Sequence, residues 1–274
     1  MAETLLELKG LHVHYELRGG IGRRMRGRAP EILRAVDGVD LTIKRGETLG
    51  LVGESGCGKS TLGRAIVGLC NPTAGTVSYR GETLTAKRER SRRRRIQMVF
   101  QDPYSSLNPR LTVRQTLSEL LLAHQLVPKA SVEARCRELL DLVGLGARAL
   151  DAHPRQFSGG QRQRVAIARA LALEPELLVA DEPVSALDVS VQAQVLKLLA
   201  ELRARLGLSI VFITHDLRVA AQICDLVAVM KNGEVVEHGR AADVFGNPQH
   251  PYTQELLDSI PGGEFAREHD TAAV

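Results

Sequence analysis

Residues Gly53-Glu54-Ser55-Gly56-Cys57-Gly58-Lys59-Ser60 fit the pattern G-x-x-x-x-G-K-[ST]. This stretch constrains the chain more than any other. On its N-terminal side, Thr48 to Val52 is a short apolar run that reads as a buried strand. On its C-terminal side, Leu62, Ala65, Ile66 and Leu69 recur at helical spacing and are expected to share one face. Strand, glycine loop, helix is the context this pattern requires. Its glycines let backbone N–H groups curl around an anion with no Cβ in the way, and the helix start adds the positive end of its dipole. In such a loop Lys59 reaches the β- and γ-phosphates of a nucleoside triphosphate, and Ser60 offers its hydroxyl to Mg²⁺. The competing reading, a glycine turn that happens to precede a helix, does not account for the whole pattern.

Further groups fall where such a ligand needs them. The apolar run Leu177 to Ala180 reads as a strand and ends in Asp181-Glu182. Ligands of open α/β sheets sit at the carboxyl ends of the strands. A carboxylate there suits Mg²⁺, an oxygen-seeking ion, so Asp181 is a candidate metal ligand. Glu182 is a candidate base for activating water. Taken alone, the pair is an ordinary exposed acidic turn; the phosphate loop tips the balance. Gln101 ends the apolar run Ile96 to Phe100, and His215 follows the run Ser209 to Ile213. Gln101 can ligate Mg²⁺ or hold water. Neither residue is persuasive by itself.

The rest of the chain sets bounds. Its 274 residues are 44% apolar and 25% charged, enough for one large domain or a domain with an appendage. The net charge of +4 admits anionic partners, but aromatic residues are only 3% and Trp is absent, which argues against a base-stacking nucleic-acid platform. The four cysteines, Cys57, Cys70, Cys136 and Cys224, have no CxxC spacing and read as reduced thiols of a cytosolic protein. Residues 1–10 do not read as a signal peptide, and no run of 18 apolar residues occurs, so a membrane role has to come through a partner. Strands are also expected at Leu5 to Tyr15 and near Val39 to Ile43, with a solvated loop from Arg18 to Pro30. A hairpin is expected at Leu226–Met230 and Glu234–Glu237, turning on Asn232-Gly233. A helix carries Val191, Val195, Leu198, Leu199, Leu202 and Leu206 and stops at Gly207. Residues 102–172 read as mostly helical, with breaks at Gly144, Gly146, Pro154 and Gly159-Gly160. Strands alternating with helices imply a largely parallel sheet. The basic run Lys87 to Arg95 reads as a solvated loop or helix rather than a nucleic-acid or lipid anchor, because Glu82 and Glu89 dilute it.

Phe157-Ser158-Gly159-Gly160-Gln161, placed before a helix and between the phosphate loop and the acidic strand, resembles the LSGGQ signature of the ATP-binding cassette (ABC) transporter ATPases. Phe157 stands where Leu is usual and keeps the position apolar. Gly53–Ser60, extended by Thr61, resembles Walker A. Gln101 resembles the Q-loop glutamine, Leu177–Asp181 Walker B, and Glu182 the catalytic glutamate. Ser185-Ala186-Leu187-Asp188 resembles the D-loop, His215 the switch histidine, and Tyr15 the aromatic that stacks on adenine. The resemblance implies an α/β P-loop NTPase fold with a mainly parallel core sheet, an N-terminal antiparallel β subdomain and an inserted α-helical signature subdomain. It implies an ABC ATPase domain over residues 1–240, its helical part at about 102–172, and a C-terminal extension over 241–274. Its ligands would be ATP and Mg²⁺. Glu182, His215 and Gln101 would act in hydrolysis. Ser60, Gln101 and Asp181 would serve the metal. Residues 53–61, Tyr15, Ser158, Gly159, Gly160, Gln161 and Asp188 would contact nucleotide. Two such ATPases would close head to tail, each ATP lying between one chain's Walker A and the other's signature.

Three longer stretches are more specific: Gln101 to Arg110, Asp181 to Gln194 and Asn247 to Thr253. Together they are similar to the bacterial oligopeptide/dipeptide/nickel importer ATPases, especially the second ATPase subunit of these systems. Implied partners are another ATPase subunit, homologous or identical, two integral membrane permeases and, indirectly, a solute-binding protein. The implied place is the cytoplasmic face of the bacterial membrane, with no nucleic acid as partner. Alternatives are the same role for nickel or another small solute, a soluble non-transport ABC ATPase, or a regulatory module that binds ATP without hydrolysis. The single set of motifs argues against the second of these, and Glu182, Gln101 and His215 argue against the third.

Overall fold

The computed structural model describes residues 3–17, 31–85, 89–102 and 106–260. In chain order the elements are β1 (Thr4–Leu17), β2 (Glu31–Lys44), β3 (Thr48–Val52), α1 (Lys59–Val67), β4 (Ala74–Tyr79), β5 (Glu82–Thr83), α2 (Arg90–Arg95), β6 (Ile96–Val99), α3 (Val113–Ala123), α4 (Val132–Leu142), α5 (Gly159–Leu171), β7 (Leu177–Asp181), α6 (Val189–Leu206), β8 (Ser209–Ile213), α7 (Leu217–Ile223), β9 (Leu226–Lys231), β10 (Glu234–Arg240), α8 (Ala241–Gly246) and α9 (Pro251–Asp258). They fall into two compact units, residues 1–45, 49–88 and 214–274 in the first, and 46–48 and 89–213 in the second.

The first unit contains an antiparallel sheet in the order β2-β1-β4-β5. Leu6, Leu8, Leu11 and Val13 of β1 are buried, as are Val36, Val39, Leu41 and Ile43 of β2. Register shifts between Leu8 and Val13 are the bulges that keep those apolar residues on the inner face. Beside this sheet, β3 pairs in parallel with β9, Leu51 opposite Ala228. All five β3 residues are buried, the pattern of a strand covered on both faces. The β9–β10 hairpin turns on Asn232 and Gly233, both at positive φ, as a two-residue type I′ turn demands. Gly68, also left-handed, stops α1 one residue before Leu69. Leu69 is therefore exposed and does not share the buried face of Leu62, Ala65 and Ile66.

The second unit carries three parallel strands, β6, β7 and β8, with Met98 opposite Val179 and Val179 opposite Val211. Between β6 and β7 the chain inserts α3, α4 and α5. Arg114 of α3 bridges Glu133 of α4 and Asp151. On α6, Val195, Leu198, Leu199 and Leu202 are buried, and left-handed Gly207 ends the helix. Leu206, the last helical residue, is exposed. In α2, Arg95 donates to the Glu174 carbonyl at 3.1 Å; Lys87 and Arg88 lie outside the described residues, as do the Arg18–Pro30 loop and Pro103 to Ser105. The chain is thus an α/β protein with parallel strands, an antiparallel β part and an inserted helical part. Among the described residues no helix is long and apolar enough to cross a membrane.

Candidate functional site

The first unit holds the glycine loop between β3 and α1. Gly53, Gly56 and Gly58 all have positive φ. A Cβ on Gly53 would stand 2.2 Å from the Met230 carbonyl oxygen, and one on Gly58 would stand 2.1 Å from that of Ala35. Backbone packs directly against backbone there, so only glycine fits. The Lys59 side chain is 4% exposed, and its ammonium donates to the carbonyls of Gly53 and Glu54, each at 2.7 Å. It also lies 3.7 Å from Cys57 Sγ. The loop is thereby wrapped around a fixed positive charge at a helix start. Gly58, the N-cap, has no side chain to cap that start. Buried ammonium, helix dipole and close backbone make a cradle that fits the phosphates of ATP.

Two other expected residues lie in this unit. Thr214 donates its backbone N–H to Leu51 of β3 at 3.1 Å, which sets His215 beside the strand that feeds the loop. His215 is exposed. Tyr15 is 41% exposed near the end of β1. Desolvation, then Cys70, raises its phenol pKa, while Arg64 and the Thr61 hydroxyl act the other way. Tyr15 and Thr61 therefore meet at the first turn of α1.

The second unit holds the acidic strand end. Asp181 closes β7 opposite Ile213 of β8 and is buried. Glu182 follows with φ +44°, a conformation uncommon outside glycine and one that marks stored strain. Its backbone N–H donates to the Ile213 carbonyl at 3.0 Å. Its carboxylate accepts from Gln101 Nε2 at 3.1 Å. Ser185 lies 3.5 Å from the same Gln101 nitrogen and donates its hydroxyl to the Glu182 carbonyl. The structure so brings together Gln101, Glu182 and Ser185; the last was legible only as part of the D-loop stretch. Buried Asp181, with its carboxylate at a strand end, is chemically suited to a hard divalent cation, as are the Ser60 hydroxyl and the Gln101 amide oxygen.

The signature stretch opens α5. Ser158 is its N-cap: its hydroxyl accepts from Gln161 N–H at 3.3 Å, while Gln161 Oε1 accepts from Ser158 N–H at 3.0 Å. The helix therefore starts at Gly159, inside the signature and not after it, and the glycine pair begins it instead of breaking it. Phe157 is buried, whereas Ser158, Gly159 and Gln161 are exposed. A Cβ on Gly160 would stand 2.2 Å from Val191 Cγ1, so this glycine lets α5 approach α6. Asp188 caps α6, accepting from Val191 N–H at 3.2 Å. Val189 beside it is 83% exposed.

Two features were not legible as site geometry. Tyr252, in the C-terminal stretch, reaches the glycine loop: its hydroxyl accepts from Glu54 N–H at 3.2 Å. His12 and His14 of β1 face Asp37 of β2 at 2.7 and 3.1 Å, the one group of three donors among the described residues close enough to share an ion. Arg34 also donates to Asp37 at 3.2 Å, and Gly38 N–H to His12. The His12 bond, the largest effect, outweighs desolvation and, with smaller help from His14 and Arg34, holds the Asp37 carboxyl below the usual aspartate range. With its carboxylate already engaged by two imidazoles and a guanidinium, the group is a clasp between β1 and β2.

Comparison with known proteins agrees with this architecture. The family described as "ABC transporter" matches residues 36–185, and that described as "Oligopeptide/dipeptide transporter, C-terminal region" matches residues 236–272. The oligopeptide transport ATP-binding protein OppF of Lactococcus lactis subsp. lactis (strain IL1403) is 48% identical over 266 residues, 96% of this chain and 82% of the relative. The oligopeptide transport ATP-binding protein AppF of Bacillus subtilis (strain 168) is 47% identical over 263 residues, 94% of this chain and 79% of the relative. Among solved structures, cbiO1 from Clostridium perfringens, part of the ABC transporter complex cbiONQ, gives a TM-score of 0.75 at 30% identity, covering 89% of this chain and 92% of its own. The ATP-binding cassette MJ0796, a dimer bound to ADP and Pi, gives 0.73 at 33% identity, covering 86% of this chain and 99% of its own. On these matches and this fold, the chain belongs to the ABC transporter ATPases, in the family of the oligopeptide transport ATP-binding proteins.

Proposed function

We propose that this chain is the ATP-hydrolysing subunit of an importer for oligopeptides or dipeptides. The observation that carries the hydrolytic reading is the bond between Gln101 and the strained Glu182 at the end of β7, in a chain that also holds the wrapped Lys59 loop. Residues 53–61 bind the phosphates, and Tyr15 stacks on adenine. Glu182 accepts a proton from water as the water oxygen attacks the γ-phosphorus and the bond to the leaving ADP oxygen breaks. Gln101 and His215 orient that water and the γ-phosphate. Ser60, Gln101 and Asp181 would hold Mg²⁺, whose bound charge offsets that of the phosphates.

The exposed start of α5, with Ser158, Gly159, Gly160 and Gln161, suits a γ-phosphate held by a second ATPase subunit, and Asp188 lies at that same surface. ATP then joins two such subunits head to tail, and closure drives two permeases that receive solute from a binding protein. The subunit sits peripherally on the cytoplasmic face of the membrane. The C-terminal match and the names of the relatives favour peptide over nickel.

The test is reconstitution in vesicles with the neighbouring permease genes' products and the binding protein. ATP-dependent uptake of a labelled tripeptide supports the reading. ATP turnover with nickel uptake and no peptide uptake replaces the solute, and absence of turnover overturns the hydrolytic role.

A further inference from the structure

The glycine loop is an unfavourable conformation for a free chain. Three of its glycines sit at positive φ, and glycine gives up more backbone entropy on ordering than any other residue. The base of the loop is tied to the core: Gly233 N–H donates to the Cys57 carbonyl at 2.9 Å, and Gly53 and Gly58 lie against the backbone of Met230 and Ala35. The crest, Glu54 to Gly56, is exposed. Its tie from outside the core is Tyr252 of α9, whose hydroxyl oxygen accepts from Glu54 N–H at 3.2 Å.

Tyr252 is itself firmly placed. It is 3% exposed. Lys231 of β9 holds its ammonium 4.2 Å from the ring centroid. Ahead of α9, Glu237 of β10 accepts the backbone N–H groups of Gln249 at 2.8 Å and His250 at 3.0 Å. His250 then caps α9 by accepting from Tyr252 N–H, and Pro251 occupies the first helical position. Desolvation, the largest effect on the phenol, raises its pKa, so it is neutral near pH 7. A neutral hydroxyl can accept the Glu54 N–H without adding negative charge beside a site for phosphates.

We propose that α9 is a brace for the glycine loop and that Tyr252 is a positioning residue for ATP, acting through Glu54 N–H. This rests on the loop being the ATP site. By linkage, if α9 favours the loop conformer that binds ATP, ATP favours the docking of α9 by the same factor. The C-terminal region is then a reporter of nucleotide occupancy as well as a support.

The experiment uses the full chain and Tyr252→Phe, which keeps the ring, its packing and the Lys231 contact while removing the hydroxyl. Equilibrium binding of the analogue AMP-PNP should weaken by about 3- to 10-fold, the range for losing one hydrogen bond. KM for ATP should rise by a similar factor, while kcat shifts by less than about 2-fold. Hydrogen exchange over residues 251–258 should slow on AMP-PNP addition in the unmodified chain and respond less in Tyr252→Phe. Unchanged affinity in the variant, or no response of residues 251–258 in the unmodified chain, overturns the brace. If the unmodified chain binds no AMP-PNP at all, it is the ATP-site reading that fails.

Discussion

The glycine loop of residues 53–60 and the signature turn of residues 157–161 each open a helix, but they are held in opposite ways. The loop is bound from several directions: Lys59 folds back on Gly53 and Glu54, Gly233 bonds Cys57, and Tyr252 bonds Glu54. The signature is held by its own reciprocal bonds between Ser158 and Gln161, with most of its residues exposed. A helix start leaves its first N–H groups without intrahelical acceptors, and at α5 two of these belong to Gly159 and Gly160. A region fixed by its own fold can be a binding site within one chain. A region that packs on its neighbour through Phe157 and Gly160 but turns its polar start to solvent, with hydrogen bonds only to itself, can be completed by something else. That contrast is the physical ground for the proposed two-chain ATP site.

The largest effect expected falls on turnover. Glu182→Gln keeps shape and hydrogen bonding but removes the base, so kcat should drop by about 10²- to 10⁴-fold while ATP still binds. Steady-state phosphate release with a parallel binding isotherm checks this. Size-exclusion chromatography of that variant with ATP also tests the contrast. A dimer that forms only with ATP, and is lost on adding Ser158→Tyr, sharpens it; a monomer at every ATP concentration breaks it.

Next comes Lys59→Ala. Losing charge-assisted bonds to phosphate should weaken ATP binding by on the order of 100-fold. The signature change Ser158→Tyr should leave binding to the isolated chain near its original value if, as proposed, the signature serves a partner's nucleotide. Equal losses in the two variants would show that the regions are not divided as proposed.

A smaller effect is structural. Gly160→Ala places a methyl 2.2 Å from the stiff β-branched Val191. Overpacking of this kind costs about 1–3 kcal/mol, and thermal melting should show a lower Tm. Val191→Ala in the same chain should recover much of the loss, because it removes the colliding atom. The glycine is thus set by the fit of α5 to α6 as well as by any phosphate.

Legibility followed the same division. The loop, β3, the β9–β10 turn and the Gly207 stop were readable because glycine or burial on both faces leaves few alternatives. β4, β5 and α7 were not assigned: only Val77 and Tyr79 of β4 are buried, too weak an alternation to read. Leu69 was misplaced because helical spacing does not say where Gly68 stops the helix. The motifs named Gln101 and Glu182, but not their mutual bond. Nothing in local sequence links Glu54 to Tyr252, which lie 198 residues apart; only the fold brings them together.

The smallest effect concerns the far end of that link. Desolvation pushes the Glu237 carboxyl up, but the N–H of Gln249, the Thr253 hydroxyl, the N–H of His250 and the His250 charge together outweigh it, leaving a pKa below the ordinary 4.5. A carboxylate with a depressed folded pKa contributes stability that is present above its unfolded pKa and lost as pH falls through the folded one. The Glu237 contribution to the docking of α9 should therefore be constant from neutral down to roughly the ordinary glutamate range and weaken below it. Solvent screening at this partly exposed site limits the effect to less than about 1 kcal/mol. Exchange protection of residues 251–258, followed as pH is lowered, should show this loss, and Glu237→Gln should remove its pH dependence while leaving an acceptor for one of the two N–H groups. If protection in the variant falls with pH as in the unmodified chain, another group controls the tail. If protection in the unmodified chain rises on acidification, the sign is wrong and Glu237 does not hold α9 as its carboxylate.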